Sequence, residues 1–120
     1  LQFMMNAQAD FTTTFSGLST VTPPSFLDDF EGGQAWNAAW QARLETQSDP
    51  IALMKASNPQ YIPRNHMIED MIQRALLGDL EAFTKMGNVL ETPFTVQGGA
   101  EEYSLPPKPE EEIEATFCGT

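Results

Sequence analysis

The stretch from residue 58 to residue 79 constrains the fold most, because it contains two helix stops and one helix start. Pro59 ends the preceding helix, since a proline disfavours the α conformation of the residue before it and donates no backbone hydrogen bond. Pro63 fits the first turn of a new helix, where the missing N–H costs nothing. Apolar residues then recur at helical spacing: Ile68, Met71, Ile72, Ala75 and Leu76. Gly78 ends this helix and Asp79 can cap the next one, so the stretch predicts a rigid hinge followed by a helical hairpin.

Two interpretations of the hinge are open. Its residues are Asn58, Pro59, Tyr61, Pro63, Arg64 and Asn65. In the functional interpretation, Arg64 binds a phosphate through its guanidinium group, and Asn65 or His66 holds a metal or a proton. In the structural interpretation, Arg64 and Asn65 tie the hinge to nearby carbonyls and carboxylates, while His66 faces Asp70 one turn later. The structural interpretation is favoured, because no nucleophile or paired base lies beside the hinge in the sequence.

The remaining helices follow from apolar spacing and from capping residues. Residues 1–17 predict one helix with Phe11 and Phe15 one turn apart, and residues 34–47 predict another that carries Trp36 and Trp40. The two tryptophans indicate large anchors of a small core, with a ligand platform or a docking contact as alternatives. Asp49 followed by proline predicts a short helix, in which Ile51 and Met54 face inward.

The second helix of the hairpin covers residues 79–91, with apolar residues at helical spacing: Leu80, Phe83, Met86, Val89 and Leu90. Gly87 within it lowers helix propensity, which suggests a close packing contact there. A short turn is predicted after Ser25 and ends at Gly32-Gly33. Its carboxylates, Asp28, Asp29 and Glu31, resemble a metal cluster, but acidic residues are expected in a first turn on dipole grounds alone.

After Thr92 the helical pattern fails, because prolines and glycines interrupt every possible element. The acidic residues there face only Lys108: Glu101, Glu102, Glu110, Glu111, Glu112 and Glu114. We therefore expect residues 92–120 to form an extended acidic tail with a few apolar anchors: Phe94, Tyr103, Leu105 and Ile113. The predicted fold class is all-α, a bundle of four to five helices over residues 1–91.

Charge and cysteine content narrow the range of partners. The formal net charge is −11, from 17 acidic and 6 basic residues, which argues against binding to nucleic acid or to anionic membranes. No run approaches the roughly 20 apolar residues that cross a bilayer. One cysteine and one histidine, Cys118 and His66, fall short of a structural zinc site and favour a reducing compartment.

Sequence motifs of catalysis are missing. The chain has no phosphate-binding glycine loop followed by Lys-Ser or Lys-Thr, no His-Glu-x-x-His pair and no nucleophile elbow. It also lacks the glycine-rich loop, strand lysine and Asp-Asn magnesium pair of kinases. We therefore predict no catalytic, cofactor-binding or metal-binding residues in this chain. Cys118 is the one reactive candidate, although Glu110 to Glu114 nearby should raise its pKa.

Several short motifs, in the same order along nearly the whole chain, carry a family resemblance. They are Ala9-Asp10-Phe11-Thr12, Asn58-Pro59, Tyr61-Ile62-Pro63-Arg64-Asn65-His66, Gly78-Asp79, Pro93-Phe94, Tyr103, Pro106-Pro107 and Thr116-Phe117-Cys118-Gly119-Thr120. Together they resemble the C-terminal region of the selenoprotein O family, whose bacterial members end in a cysteine two residues from the terminus. The resemblance implies a kinase-like parent protein that transfers AMP from ATP, with Mg²⁺, to Ser, Thr or Tyr hydroxyls of proteins.

The resemblance also implies where the chain fits. The nucleotide and metal sites would lie before Leu1, which is not an initiator methionine, and this chain would brace that upstream kinase-like domain in the bacterial cytoplasm. In bacterial members the cysteine at the position of Cys118 is thought to pair with another near the active site, so Cys118 is a redox-switch candidate. An unpaired terminal thiol is the alternative. For the chain as a whole, the alternatives are a stand-alone helical interaction module with an acidic tail and, more weakly, a small enzyme that uses Arg64 and His66.

Overall fold

Every regular element that the structure describes is helical. The structure is a computed structural model, and it describes residues 1–112. Within that range the α-helices are α1 Gln2–Asn6, α2 Phe11–Leu18, α3 Gly33–Glu45, α4 Pro50–Ser57, α5 Asn65–Leu76 and α6 Glu81–Leu90. Short 3₁₀ helices cover Ser25–Asp29, Glu101–Ser104 and Pro109–Glu111. The predicted all-α class is confirmed, with six α-helices in the described part instead of four to five.

The extra helix arises at the N-terminus, where one continuous helix over residues 1–17 was predicted. That prediction is wrong, because α1 ends at Asn6 and Gln8 adopts a left-handed conformation with φ of 50°. Asp10 then caps α2 by accepting a 2.7 Å hydrogen bond from the backbone N–H of Thr13. A capping side chain stabilises a helix start by about 1 kcal/mol, so this local signal overrides the apolar spacing that runs through the break.

The chain divides into two compact units, Leu1–Pro59 and a second that begins at Gln60. The division between a helical bundle and an acidic tail after Glu91 stays a prediction from the sequence. In the first unit, Leu18 and Leu27 are the buried apolar side chains. Gly33 is buried at the start of α3, where an added Cβ would overlap the backbone carbonyl of Leu27. This close approach of backbone to backbone requires glycine.

Other predictions for the first unit hold in part. Asp49 accepts a 3.0 Å hydrogen bond from the N–H of Ala52, and Pro50 is the first residue of α4, as the cap prediction required. Met54 is half-buried as expected, but Ile51 is exposed. Trp36 and Trp40 stack with ring centroids 5.9 Å apart. Trp36 is exposed and Trp40 half-buried, so neither ring is the buried core anchor that the sequence predicted.

The second unit contains the predicted helical hairpin of α5 and α6. Gly78 has a φ of 88°, a conformation that favours glycine, and the Asp79 carboxylate accepts a 2.9 Å hydrogen bond from the N–H of Glu81. Pro63 lies before the helix and not in its first turn, because α5 begins at Asn65 with Arg64 as its N-cap residue. Around Gly87 no heavy atom lies within 4 Å of an added Cβ, so the expected close contact there is not present among the described residues.

The core of the second unit draws on the segment after the hairpin. Its buried members are Tyr61, Met86, Val89, Ala100 and Tyr103, with Met67, Ile68, Met71 and Leu90 packed around them. Of the expected tail anchors, Tyr103 is buried, whereas Phe94 and Leu105 are exposed and Ile113 lies outside the described residues. No helix among residues 1–112 is long and apolar enough to span a membrane.

Candidate functional site

The hinge is bonded to the chain segment that follows the hairpin, here called the strap (residues 92–104). The backbone N–H groups of Gln60 and Tyr61 both donate to the carbonyl of Pro93, over 2.7 Å and 3.2 Å. Asn58 ends α4, with its N–H donating to the carbonyl of Met54 at 2.8 Å. The extended backbone that Pro59 and Pro63 impose thus has defined hydrogen-bond partners within each unit.

Gln97 of the strap is hydrogen-bonded both to the hinge and to the end of α6. Its backbone N–H donates a 2.9 Å bond to the hydroxyl of Tyr61, and the hydroxyl donates a longer 3.4 Å bond to the Gln97 carbonyl. Its side-chain amide donates to the carbonyls of Val89 and Thr92, over 2.8 Å and 3.2 Å. The last carbonyls of an α-helix have no partner within the helix. The side chain of Gln97 supplies a donor for one of them at the end of α6, while its backbone holds Tyr61 of the hinge in place.

Arg64 is buried, and its guanidinium Nη2 donates a 2.9 Å hydrogen bond to the carbonyl of Ser104 at the end of the strap. A charged donor of this kind forms a stronger bond than a neutral one. The geometry supports the structural interpretation of Arg64, since a buried guanidinium bonded to a backbone carbonyl is poorly placed to bind a phosphate.

His66 lies half-buried in a shallow cleft beside Pro107, Glu111 and Glu112. The expected pairing of His66 with Asp70 is not formed, because Asp70 accepts a 2.8 Å ion-pair contact from Arg74 one turn further along α5. Asn65, the first residue of α5, is exposed. The candidate functional residues of the hinge are therefore not gathered into one reactive constellation.

A second, larger groove, here called the acidic groove, is lined by charged residues of α5 and α6 and by residues 102–112. Its described lining holds seven carboxylates, from Glu69, Asp70, Glu81, Glu102, Glu110, Glu111 and Glu112. Its three cations each contact a carboxylate: Arg74 with Asp70, Lys85 with Glu81 at 3.2 Å and Lys108 with Glu111 at 3.6 Å. An excess of negative charge with neutralised cations repels the phosphates of ATP, so these residues do not fit a nucleotide.

Hydrogen bonds and neighbouring charges shift the pKa values of three exposed side chains. The hydrogen bond to Glu81 and its negative charge raise the pKa of Lys85. Backbone N–H groups of Glu101 itself and of Gly99 lower the pKa of the Glu101 carboxyl. The backbone N–H of Lys108 likewise lowers the pKa of Glu111, to which it donates over 2.9 Å. All three shifts favour the charged forms, so these groups act as fixed charges and local caps near neutral pH.

No group of three or more His, Cys, Asp or Glu side chains among residues 1–112 is arranged to hold a metal ion. Asp28 and Asp29 lie exposed in the 3₁₀ helix Ser25–Asp29, and Asp28 belongs to its first turn, where an acidic residue is expected. Cys118, the redox candidate, lies outside the described residues.

The sequence missed the roles of Gln97 and Ser104. The Gln97 N–H donates to the hydroxyl of Tyr61, 36 positions earlier in the chain. The Ser104 carbonyl accepts from Arg64, 40 positions earlier. Glutamine and serine in a stretch rich in glycine and proline carry no periodic signal. The structural interpretation of the hinge predicted a carbonyl or carboxylate partner for Arg64, but the sequence did not indicate which residue supplies it.

Comparisons with known proteins relate the whole chain to one group of nucleotidyltransferases. No protein-family model matches. The chain is 42% identical over 120 residues, all of its length, to a protein of Ruegeria sp. (strain TM1040) named protein nucleotidyltransferase YdiU. It is 39% identical over 120 residues to the protein of the same name from Roseobacter denitrificans, and 39% over 126 residues to that from Syntrophotalea carbinolica.

These matches cover 25% to 26% of the relatives, so the chain spans about a quarter of the length of the curated proteins it matches. These nucleotidyltransferases are members of the selenoprotein O family. The chain belongs to this family, and the resemblance carried by its sequence motifs is confirmed.

Proposed function

We propose that this chain is the C-terminal helical region of a bacterial protein adenylyltransferase, and that it braces the catalytic part without taking part in catalysis. The catalytic part would use ATP and Mg²⁺ to transfer AMP to Ser, Thr or Tyr hydroxyls of proteins in the cytoplasm. The observation that carries the proposal is the match of the entire chain to about a quarter of the length of proteins named nucleotidyltransferases. The remaining three quarters leave room for the reacting groups.

The charges of the second unit support a bracing role. Its acidic groove disfavours nucleotide phosphates, and the buried Arg64 is bonded to a strap carbonyl. The hydrogen bonds of Gln97 and Arg64 hold the hinge, the hairpin and the strap together as one unit. A preorganised surface of this kind binds a neighbouring domain with little further loss of conformational entropy.

The test compares AMP transfer from labelled ATP to a protein acceptor by three samples: the longer protein, the longer protein without these 120 residues, and the 120-residue chain alone. We expect transfer by the longer protein, reduced transfer without the chain and none by the chain alone. Turnover by the isolated chain would contradict the bracing role. A longer protein without any transfer activity would contradict the adenylyltransferase assignment.

We further propose that Cys118 forms a reversible disulfide with a cysteine of the catalytic part. Two thiols would lose two protons and two electrons to a cellular oxidant, and the new bond would hold the C-terminus across the catalytic part. Activity and electrophoretic mobility of the longer protein should then change with dithiothreitol, and a Cys118→Ser variant should not respond. A wild-type protein that is insensitive to dithiothreitol in both readouts would contradict the switch.

A further inference from the structure

The two sides of the α5–α6 hairpin differ sharply in character. Inward positions on α5 include Met71 and Ala75, and those on α6 include Ala82 and Met86. In an α-helix each residue advances by about 100°, so neighbours of the inward positions lie to one side or the other. In two antiparallel helices that face each other, positions one residue before the inward ones share one side, and positions one residue after share the opposite side.

The side of the hairpin formed by the residues one position before the inward ones is charged. It holds Asp70, Arg74, Glu81 and Lys85, which form two i,i+4 ion pairs, and it lines the acidic groove. This side has its own polar partners and needs no further cover.

The opposite side, formed by the residues one position after the inward ones, is apolar, and it is here called the apolar face. It comprises Ile72, Leu76, Phe83 and Gly87, together with Leu77 and Leu80 at the hairpin turn. Leu76 is 75% exposed, Leu77 88%, Leu80 61% and Phe83 60%. Gly87 lies one turn after Phe83, and no heavy atom is within 4 Å of a Cβ added there. Apolar side chains grouped on one face of an otherwise charged hairpin are typical of an interaction surface.

We infer that the apolar face is the docking surface for the catalytic part of the longer protein. The inference rests on the proposed function, in that it takes the chain to work within such a protein. The curated relatives are about four times as long as this chain, so a large partner is covalently attached and present at high effective concentration. A second copy of the chain is disfavoured as the occupant, because each copy carries a net charge of −11 and the copies repel each other.

Thiol labelling in the longer protein tests the docking surface without disrupting the fold. Phe83→Cys and Leu76→Cys place a thiol on the apolar face, whereas Thr84→Cys and Gln73→Cys place one on the exposed outer side of the same helices. A docked face blocks access, so we expect labelling at positions 83 and 76 to be at least about tenfold slower than at 84 and 73. Peptide mass spectrometry separates these thiols from Cys118.

Three results decide between the possibilities. Equal labelling rates at the paired positions would overturn the inference. Protection that disappears on dilution would also overturn it, since it would assign the face to a second copy. Measuring AMP transfer by the wild-type longer protein separates the two proposals. Slow labelling of the apolar face without AMP transfer supports the docking surface and contradicts the proposed function. AMP transfer with equal labelling rates supports the proposed function and contradicts the docking surface.

Discussion

The backbone N–H of Gln97 donates a 2.9 Å hydrogen bond to the hydroxyl of Tyr61, which lies 36 residues earlier and is buried in the core of the second unit. This bond connects the hinge before the hairpin to the strap after it. The two ends of the helical hairpin are thereby fixed by a side chain that contributes both an aromatic ring to the core and a polar atom to the strap.

Replacing Tyr61 with phenylalanine should lower the free energy of unfolding by about 1–2 kcal/mol, because the backbone N–H of Gln97 loses its acceptor while the ring stays in the core. Urea unfolding of the chain measures the change. Tyr103→Phe is the matched control: its ring is also buried, and its hydroxyl makes no hydrogen bond within residues 1–112, so the expected change is below about 0.5 kcal/mol. Similar losses in both variants would contradict a specific role for the Tyr61 bond.

Arg64→Ala should cost about 1.5–3 kcal/mol of stability, since it removes a charged donor and leaves the Ser104 carbonyl without its bond. The control is Arg74→Ala, in which the lost contact is an exposed i,i+4 pair with Asp70 that is worth only about 0.3–0.5 kcal/mol. Urea unfolding of both variants distinguishes the two arginines. A loss for Arg64→Ala no greater than for Arg74→Ala would refute the structural role of the hinge arginine.

Two glycine substitutions should change stability in opposite directions. Gly33→Ala places a Cβ against the carbonyl of Leu27 and should destabilise the first unit by about 1–3 kcal/mol. Gly17→Ala lies within α2 with no heavy atom within 4 Å of the new Cβ, so it should stabilise by about 0.5–1 kcal/mol through helix propensity. Thermal unfolding followed by circular dichroism measures both, and a neutral Gly33→Ala would contradict the close approach.

The pH dependence of stability should contain a contribution from Glu101, whose carboxylate accepts a 3.1 Å bond from the N–H of Gly99. Backbone N–H groups lower the pKa of this carboxyl below 4.5 in the folded state. Its stabilising contribution is therefore present above the unfolded pKa and is lost as the pH falls through the lowered folded pKa.

Glu101→Gln should consequently lower the melting temperature at neutral pH, and the difference from wild type should shrink as the pH falls below the folded pKa. Glu102→Gln serves as the control, because within residues 1–112 the Glu102 side chain makes no hydrogen bond. A difference for Glu101→Gln that stays constant from neutral to acidic pH would rule out the linkage.

Local signals predicted the elements that local chemistry determines. The cap at Asp49 with Pro50 and the turn at Gly78 were predictable because one or two residues set the backbone there. The break after α1 was predictable only from the capping residue Asp10, since Gln8 takes up the left-handed conformation without being glycine. A residue with positive φ that is neither glycine nor asparagine leaves no mark in the sequence.

Long-range partners escaped prediction for a different reason. Arg64 and Tyr61 marked the hinge as unusual, but nothing near Gln97 or Ser104 identified these residues as their partners. The glycines and prolines after Thr92 correctly indicated irregular backbone. They did not reveal that Ala100 and Tyr103 complete the core, because burial depends on tertiary contacts that irregular backbone permits as readily as a helix does.

The position of Tyr103 in the core has a consequence for synthesis on the ribosome. Chain growth proceeds from the N-terminus, so the hairpin emerges before the strap that closes its core. Until Tyr103 has left the exit tunnel, Met86 and Val89 lack part of their cover, and the nascent hairpin exposes apolar surface on the inner side as well. The second unit can therefore reach its native packing only after Tyr103 has left the exit tunnel, and until then the hairpin exposes apolar surface to which a chaperone can bind.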